Sequence, residues 1–117
     1  MKMQKRIKLV VFQGVVAGLF ALSFNATAAV DVEAAKTLAR ANNCFKCHGE
    51  TKEKDGPAYV KVAEKYRGKA GAEEKLVHHL TSGEKAKFPD GHEENHKIIN
   101  TKDAGEIKNL VGWILSL

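Results

Sequence analysis

Two cysteines and a histidine form the part of this sequence with the clearest chemistry. Cys44 and Cys47 are separated by two residues, and His48 follows directly, which gives the pattern C-x-x-C-H. Two thiols at this spacing can each add to one vinyl group of a haem, and the next residue then presents an imidazole to the iron. We therefore predict one haem c, bound covalently through Cys44 and Cys47, with His48 as an axial ligand.

Other uses of the two thiols fit the sequence less well. A thioredoxin-like redox pair would need a parallel βαβ scaffold, which the helical pattern of this chain does not predict. A disulfide across two intervening residues would constrain very little chain. A zinc site would need two further ligands from His78, His79, His92 and His96, but the spacing matches no compact zinc finger.

The first 28 residues have the features of a secretory signal peptide. Four basic residues lie among the first eight, an apolar stretch follows from 9 to 24, and Ala26-Thr27-Ala28 matches an A-x-A cleavage site. An uncleaved membrane anchor is the alternative, but the apolar stretch is short for a span. We therefore expect residues 1–28 to be removed on export to the periplasm, leaving one domain over 29–117 with no membrane insertion.

The charge of the predicted mature domain argues against a nucleic-acid partner. The whole chain carries a formal charge of +5, with nineteen basic and fourteen acidic residues. Four of the basic residues and none of the acidic ones lie within 1–28, so the mature domain has fifteen basic and fourteen acidic residues. This balance of +1, with the two signs interspersed, does not predict nucleic-acid binding.

Hydrophobic periodicity predicts an all-α fold of about four helices within 29–117. A first helix would run from a cap at Asp31 to about Ala41, a second would follow Pro57, and a third would span 72–82. A last helix would begin after a cap at Asp103. The segment 84–100 shows no sustained period and is predicted as a loop with one short helical turn at most. The first and last helices each have an apolar face, so we expect them to pack together.

Residues 29–117 resemble a small bacterial class I cytochrome c over nearly their whole length. The resemblance rests on the first helix, Asn42-Asn43 before the cysteine motif, Gly56-Pro57 after it, and Trp113 in the last helix. It implies a cytochrome c-like fold around one haem. It also implies that the Pro57 carbonyl accepts the ring N–H of His48. Trp113 would lie against the haem edge, with ordinary core packing as the alternative.

The second axial ligand is where the chain departs from this family. Such cytochromes usually supply a methionine from a loop ahead of the last helix, but the only methionines here are Met1 and Met3. The corresponding segment contains His92 and His96, and neutral imidazole is a competent iron ligand. We predict His96 as the second ligand, with His92 as the first alternative and an open position as the second. On the third helix, His78 and His79 are expected to face solvent.

His92 and His96 also satisfy the H-E-x-x-H pattern of zinc proteases. In those enzymes the two histidines lie on a helix of a much larger catalytic domain. Here Pro89 and Gly91 come just before the pattern, and a short domain leaves little room for a substrate cleft. We therefore do not predict protease activity.

The predicted function is that of a one-electron carrier rather than an enzyme. Redox partner proteins would bind transiently at an exposed haem edge, and we expect a monomer. A histidine pair would give a lower potential than a Met/His pair. The alternative is a haem protein that binds or senses a small gas at an open distal site, with weak peroxidase activity as a variant of it. A subunit of a larger redox complex is a third hypothesis.

Overall fold

The structure is a computed structural model that describes residues 28–117. The predicted signal peptide therefore lies outside the described residues, apart from Ala28. The bounds of the helices are Val32–Ala41 (α1), Tyr59–Tyr66 (α2), Ala72–Thr81 (α3) and Ala104–Ser116 (α4). A 3-10 turn spans Cys44–Lys46, and two short strands span Lys85–Lys87 (β1) and Glu93–Asn95 (β2). The predicted all-α fold of about four helices is confirmed.

Two aspartates begin the first and last helices, as the sequence predicts. Asp31 accepts a hydrogen bond from the main-chain N–H of Ala34 at 2.9 Å, and Asp103 accepts one from Gly105 at 2.8 Å. Each bond satisfies an N–H group that the first turn of a helix leaves without a partner. The reciprocal half of a capping box is absent from α4, because the Glu106 carboxylate accepts from the Thr101 hydroxyl instead.

Helix α4 is the central element of the described chain, since α1, α2 and α3 all pack against it. Small residues on α1 make close packing possible: Ala35 and Ala39 are buried, as are Leu110 and Val111 on α4. At one end of this interface, the Asp31 N–H donates to Oδ1 of Asn109 and the Asn109 amide donates to the Asp31 carbonyl, both at 2.8 Å. The expected pairing of the first and last helices is therefore present.

The segment between α3 and α4 differs from the predicted loop. It forms an antiparallel hairpin in which Lys85 pairs with Asn95 and Lys87 with Glu93. Both strands are three residues long and mostly exposed, so no alternation of apolar and polar residues marks them in the sequence. After the hairpin the chain returns to the core at Ile99, which is 4% exposed and donates its N–H to Leu80 at 2.9 Å.

No helix among residues 28–117 has the length and apolar character needed to cross a membrane. The longest of them, α4, has 13 residues, whereas a span takes about 20.

Candidate haem site

A cleft of about 1130 Å³ opens between the cysteine motif on one side and the end of α3 with the hairpin segment on the other. Cys44, Cys47 and His48 line the first wall, and His96 lines the second. Several apolar side chains form its inner surface: Val62, Leu76, Leu80, Ile99 and Ile114. A large, mostly apolar cleft with a few converging polar groups is typical of a cofactor site.

The turn after α1 determines where the two thiols lie. Asn43 adopts the left-handed conformation, with φ of 57°, and this turns the chain out of the helix. The main-chain N–H groups of Cys47 and His48 then both donate to the carbonyl of Cys44, at 3.2 and 3.0 Å. This tight turn holds Cys44, Cys47 and His48 on the same wall of the cleft. Burial raises the pKa of the Cys44 thiol, and a hydrogen bond with Tyr59 partly opposes that effect.

The ring of His48 is oriented by its contact with Pro57. Its Nδ1 lies 2.7 Å from the Pro57 carbonyl oxygen. Because a carbonyl oxygen only accepts, Nδ1 must carry the proton and donate it, which leaves the lone pair of Nε2 free to bind a metal. Tyr59 stacks on the same ring, with centroids 5.0 Å apart and planes 11° apart. Burial lowers the pKa of His48, although the hydrogen bond to Pro57 opposes this effect, and a lowered pKa favours the neutral imidazole that metal ligation requires.

Gly56 makes room for this ring. A Cβ atom added at Gly56 would lie 2.6 Å from Cε1 and 2.9 Å from Nδ1 of His48, while the Gly56 N–H donates to the Cys47 carbonyl at 2.7 Å. Any side chain here must therefore displace either the imidazole or the backbone.

We predict that Gly56→Ala displaces the His48 ring from the Pro57 carbonyl. The free energy of unfolding should fall by about 1–3 kcal/mol, the usual cost of overpacking. The ferric absorption spectrum should change as well, because the histidine that is predicted to bind the iron has moved. Gly105→Ala, on the first turn of α4, is the matched control and should leave the spectrum as in the parent. An unchanged spectrum for Gly56→Ala would show that the ring does not depend on this space.

His96 faces His48 across the cleft. Their ring centroids are 6.2 Å apart and their planes are tilted by 51°. The His96 main-chain N–H donates to the Glu84 carbonyl at 2.8 Å, and its Nδ1 lies 2.9 Å from the Lys97 carbonyl oxygen. Nδ1 of His96 is therefore the hydrogen-bond donor, as in His48, and the lone pair of its Nε2 is available to bind a metal. Burial lowers the pKa of His96, with smaller contributions in the same direction from His79 and His48.

The spacing of these two rings can be compared with metal coordination. An imidazole nitrogen lies about 2 Å from a bound first-row metal ion and about 1 Å from its own ring centre, so two imidazoles on opposite sides of one ion have centres roughly 6 Å apart. The observed separation of 6.2 Å is close to this value. The residues of the cleft therefore fit one haem, and His48 and His96 are the two imidazoles that would be placed to hold its iron.

His92 lies outside the cleft, in the exposed turn of the hairpin. Its ring stacks on Phe88 at 4.3 Å and hydrogen-bonds the carboxylates of Asp90 and Glu94. The two histidines of the H-E-x-x-H pattern are thus separated by strand β2 rather than by a helical turn. Among residues 28–117, no group of three or more His, Cys, Asp or Glu side chains is placed to hold a metal ion.

We predict that His92 titrates above its ordinary value of about 6.5. The hydrogen bond that the His92 ring donates to the Asp90 carboxylate raises the pKa of His92, and the contact with Glu94 adds to the effect. A raised pKa means that the folded protein binds the proton more tightly than the unfolded chain does. The contact therefore stabilises the fold below about pH 6.5, and this contribution is lost as the pH rises through the folded pKa. NMR titration should give a lower His92 pKa in Asp90→Asn, and a smaller decrease in Glu94→Gln; equal pKa values in all three proteins would refute the contact.

Trp113 lies one layer behind the cleft rather than on its surface. It is 1% exposed and packs edge-to-face against Tyr59, at 5.6 Å, and Phe45, at 6.2 Å. Tyr59 in turn stacks on His48, so the Trp113 indole supports, through the ring of Tyr59, the wall of the cleft that carries His48. Core packing, the alternative noted for Trp113, matches this position.

His79 lines the cleft, whereas the helical periodicity of the sequence predicted that it would face solvent. Whereas His78 is exposed, as expected, His79 is only half-exposed, and its ring centroid lies 3.9 Å from that of His96. Its Nδ1 is 2.6 Å from a carboxylate oxygen of Glu84. These contacts join α3 to a segment of irregular structure, so no local pattern in the sequence could have revealed them.

Comparison with known proteins identifies the family of this chain. A family model of cytochrome c matches residues 32–117. Cytochrome c2 of Rhodocyclus tenuis is 40% identical over 81 residues, which cover 68% of this chain and 88% of that protein. The chain therefore belongs to the cytochrome c family: it is a small class I monohaem cytochrome, an electron carrier with one haem c bound covalently through Cys44 and Cys47.

Solved structures give the same result. The class 1 cytochrome MtoD from Sideroxydans lithotrophicus ES-1 is 78% identical, with a TM-score of 0.73, over 75% of this chain and 97% of that one. Wild-type cytochrome c552 of Nitrosomonas europaea is 28% identical, with a TM-score of 0.57, over 70% of this chain and 98% of that one. The cytochrome c-like arrangement of the helices is thus confirmed.

Proposed function

We propose that this protein is an exported one-electron carrier in which His48 and His96 hold the haem iron from opposite sides. The observation that carries the proposal is the pair of imidazoles 6.2 Å apart, each with Nδ1 bonded to a main-chain carbonyl and Nε2 free. When bound, the haem supplies an iron that gains and loses one electron. Two imidazoles fixed by the fold would keep the same coordination in both oxidation states, which favours electron transfer over substrate binding.

The other residues of the cleft have supporting roles in this proposal. The thiols of Cys44 and Cys47 fix the haem to the tight turn after α1. Pro57 fixes the tautomer of His48 and raises its basicity as a ligand. The apolar inner wall, which includes Leu80 and Ile99, excludes water from the iron and thereby influences the potential.

The position of His96 also bears on the alternative of a gas-binding protein. Such a protein needs an open or weakly occupied distal position. Here an imidazole with a free Nε2 lies opposite His48, and two main-chain contacts restrict its backbone and ring. This arrangement favours the carrier, and it gives no support to an enzymatic role.

Docking of redox partners is proposed at the mouth of the cleft. Lysines outnumber acidic residues there; they are Lys46, Lys61, Lys65, Lys75, Lys85, Lys87 and Lys97, against Asp55, Glu74, Glu84 and Glu94. The protein itself would act as a monomer. A partner with an acidic surface would bind it transiently, and the association should weaken as salt is added. The features of residues 1–28 support export, so the proposed compartment is the periplasm.

A redox titration of the purified holoprotein tests this proposal. The parent should have a potential below that of cytochromes with Met/His ligation, because a methionine ligand raises the potential. His96→Met should raise it, by a fraction of the roughly 0.8 V that axial ligands span. His92→Met is the matched control and should leave it unchanged. A parent potential typical of Met/His cytochromes, unaltered in His96→Met, would contradict the ligation by His96.

A further inference from the structure

The segment that carries His96 is attached to the helices on both sides of this residue. On its C-terminal side, Ile99 is buried and donates to the Leu80 carbonyl at the end of α3. On its N-terminal side, the His96 N–H donates to the carbonyl of Glu84 at 2.8 Å. The hairpin between Glu84 and His96 is mostly exposed. The position of the His96 ring therefore depends on how firmly these two attachments hold.

Glu84 makes further contacts with its side chain. One carboxylate oxygen lies 2.6 Å from Nδ1 of His79, and the other lies 3.5 Å from Nε2 of His78. Both histidines belong to the last turn of α3, so Glu84 joins the end of that helix to the start of the hairpin. The ring of His79, held in this way, lies 3.9 Å from the ring of His96.

We propose that Glu84 is a positioning residue for the distal ligand, an inference that rests on the proposed ligation by His96. Its carbonyl fixes the backbone at His96, while its carboxylate holds the His79 ring against the His96 ring. For His96 to leave the iron, its ring must move past His79 or its backbone must leave the Glu84 carbonyl. Glu84 thus slows the dissociation of His96 and controls how readily an external ligand reaches the iron.

Cyanide binding to the ferric holoprotein measures this dissociation, because cyanide takes the position that His96 vacates. Glu84→Ala removes the carboxylate but keeps the main-chain carbonyl. Its cyanide-binding rate should exceed that of the parent by about three- to fivefold, the effect expected from losing one exposed ionic contact. Glu84→Gln should lie between the two, since an amide oxygen can still accept from His79. Glu93→Ala is the matched control: it removes an exposed carboxylate of the same hairpin that does not line the cleft, and it should bind cyanide at the parent rate.

Two further measurements separate the outcomes. If Glu84→Ala lowers the unfolding temperature while the cyanide rate stays at the parent value, Glu84 has a general structural role and the inference is wrong. The electron paramagnetic resonance spectrum of the parent tests the ligation by His96, on which the role of Glu84 depends. A parent without a bis-imidazole signal would overturn the ligation by His96 and this inference with it. If the parent shows a bis-imidazole signal but Glu84→Ala binds cyanide at the parent rate, the proposed role of Glu84 is wrong while the ligation by His96 stands.

Discussion

Replacing His96 with alanine is expected to convert a low-spin, six-coordinate protein into a high-spin protein that binds carbon monoxide when reduced. The reason is that His96 is the imidazole whose ring centre lies 6.2 Å from that of His48, close to the roughly 6 Å expected for two ligands of one ion. Absorption spectra of both oxidation states, with and without carbon monoxide, give the measurement. The spectrum of the reduced parent should not change when carbon monoxide is added, whereas the reduced variant should bind one carbon monoxide per haem.

Two further variants complete this experiment. His92→Ala is the matched control, because His92 is in the exposed turn of the hairpin and does not line the cleft. Its spectra should equal those of the parent. The double variant His79→Ala/His96→Ala removes the imidazole that lies nearest to His96 as well, so that it cannot act as a substitute ligand. A double variant that is still six-coordinate and indifferent to carbon monoxide would exclude His96 as the distal ligand.

Removing both thiols, in Cys44→Ala/Cys47→Ala, is expected to abolish covalent haem and with it the folded domain. The cleft of about 1130 Å³ separates the cysteine turn from α3 and the hairpin segment, so without haem its two walls lose their common packing partner. In a domain this small, the free energy of cofactor binding is largely the free energy of folding. No thiol then remains to form a thioether, so covalent haem should fall to the background level of the assay.

The pyridine haemochrome spectrum after acid extraction reports covalent haem, and far-ultraviolet circular dichroism reports the helices. The single variants Cys44→Ala and Cys47→Ala each keep one thiol and should retain part of the covalent haem, at lower yield. Helical content and covalent haem should decrease together across the series. A double variant with parental helical content would show that the four helices pack stably around the cleft by themselves.

The helical part of the fold could be predicted from the sequence because its signals are local. The side chains of Asp31 and Asp103 accept from N–H groups two or three residues ahead, and apolar residues recur at helical spacing in the segments that follow. The hairpin was not predicted, since its pairing of Lys87 with Glu93 leaves no periodic pattern in an exposed segment. The Gly56-Pro57 pair was noted in the sequence for its resemblance to cytochromes c, but the close approach of Gly56 to the His48 ring depends on how that loop folds back.

The sequence by itself determined the covalent chemistry of this protein, because Cys44, Cys47 and His48 are neighbours whose spacing is set by the backbone alone. For the distal ligand it predicted His96, but it left His92 and an open position as alternatives. Only the tertiary structure placed His96 in the cleft and His92 outside it. The same structure brought Glu84 and His79 to the side of His96. The physical reason is that residues 48 and 96 meet only after α3 has packed against α4 and the intervening segment has returned to the core at Ile99.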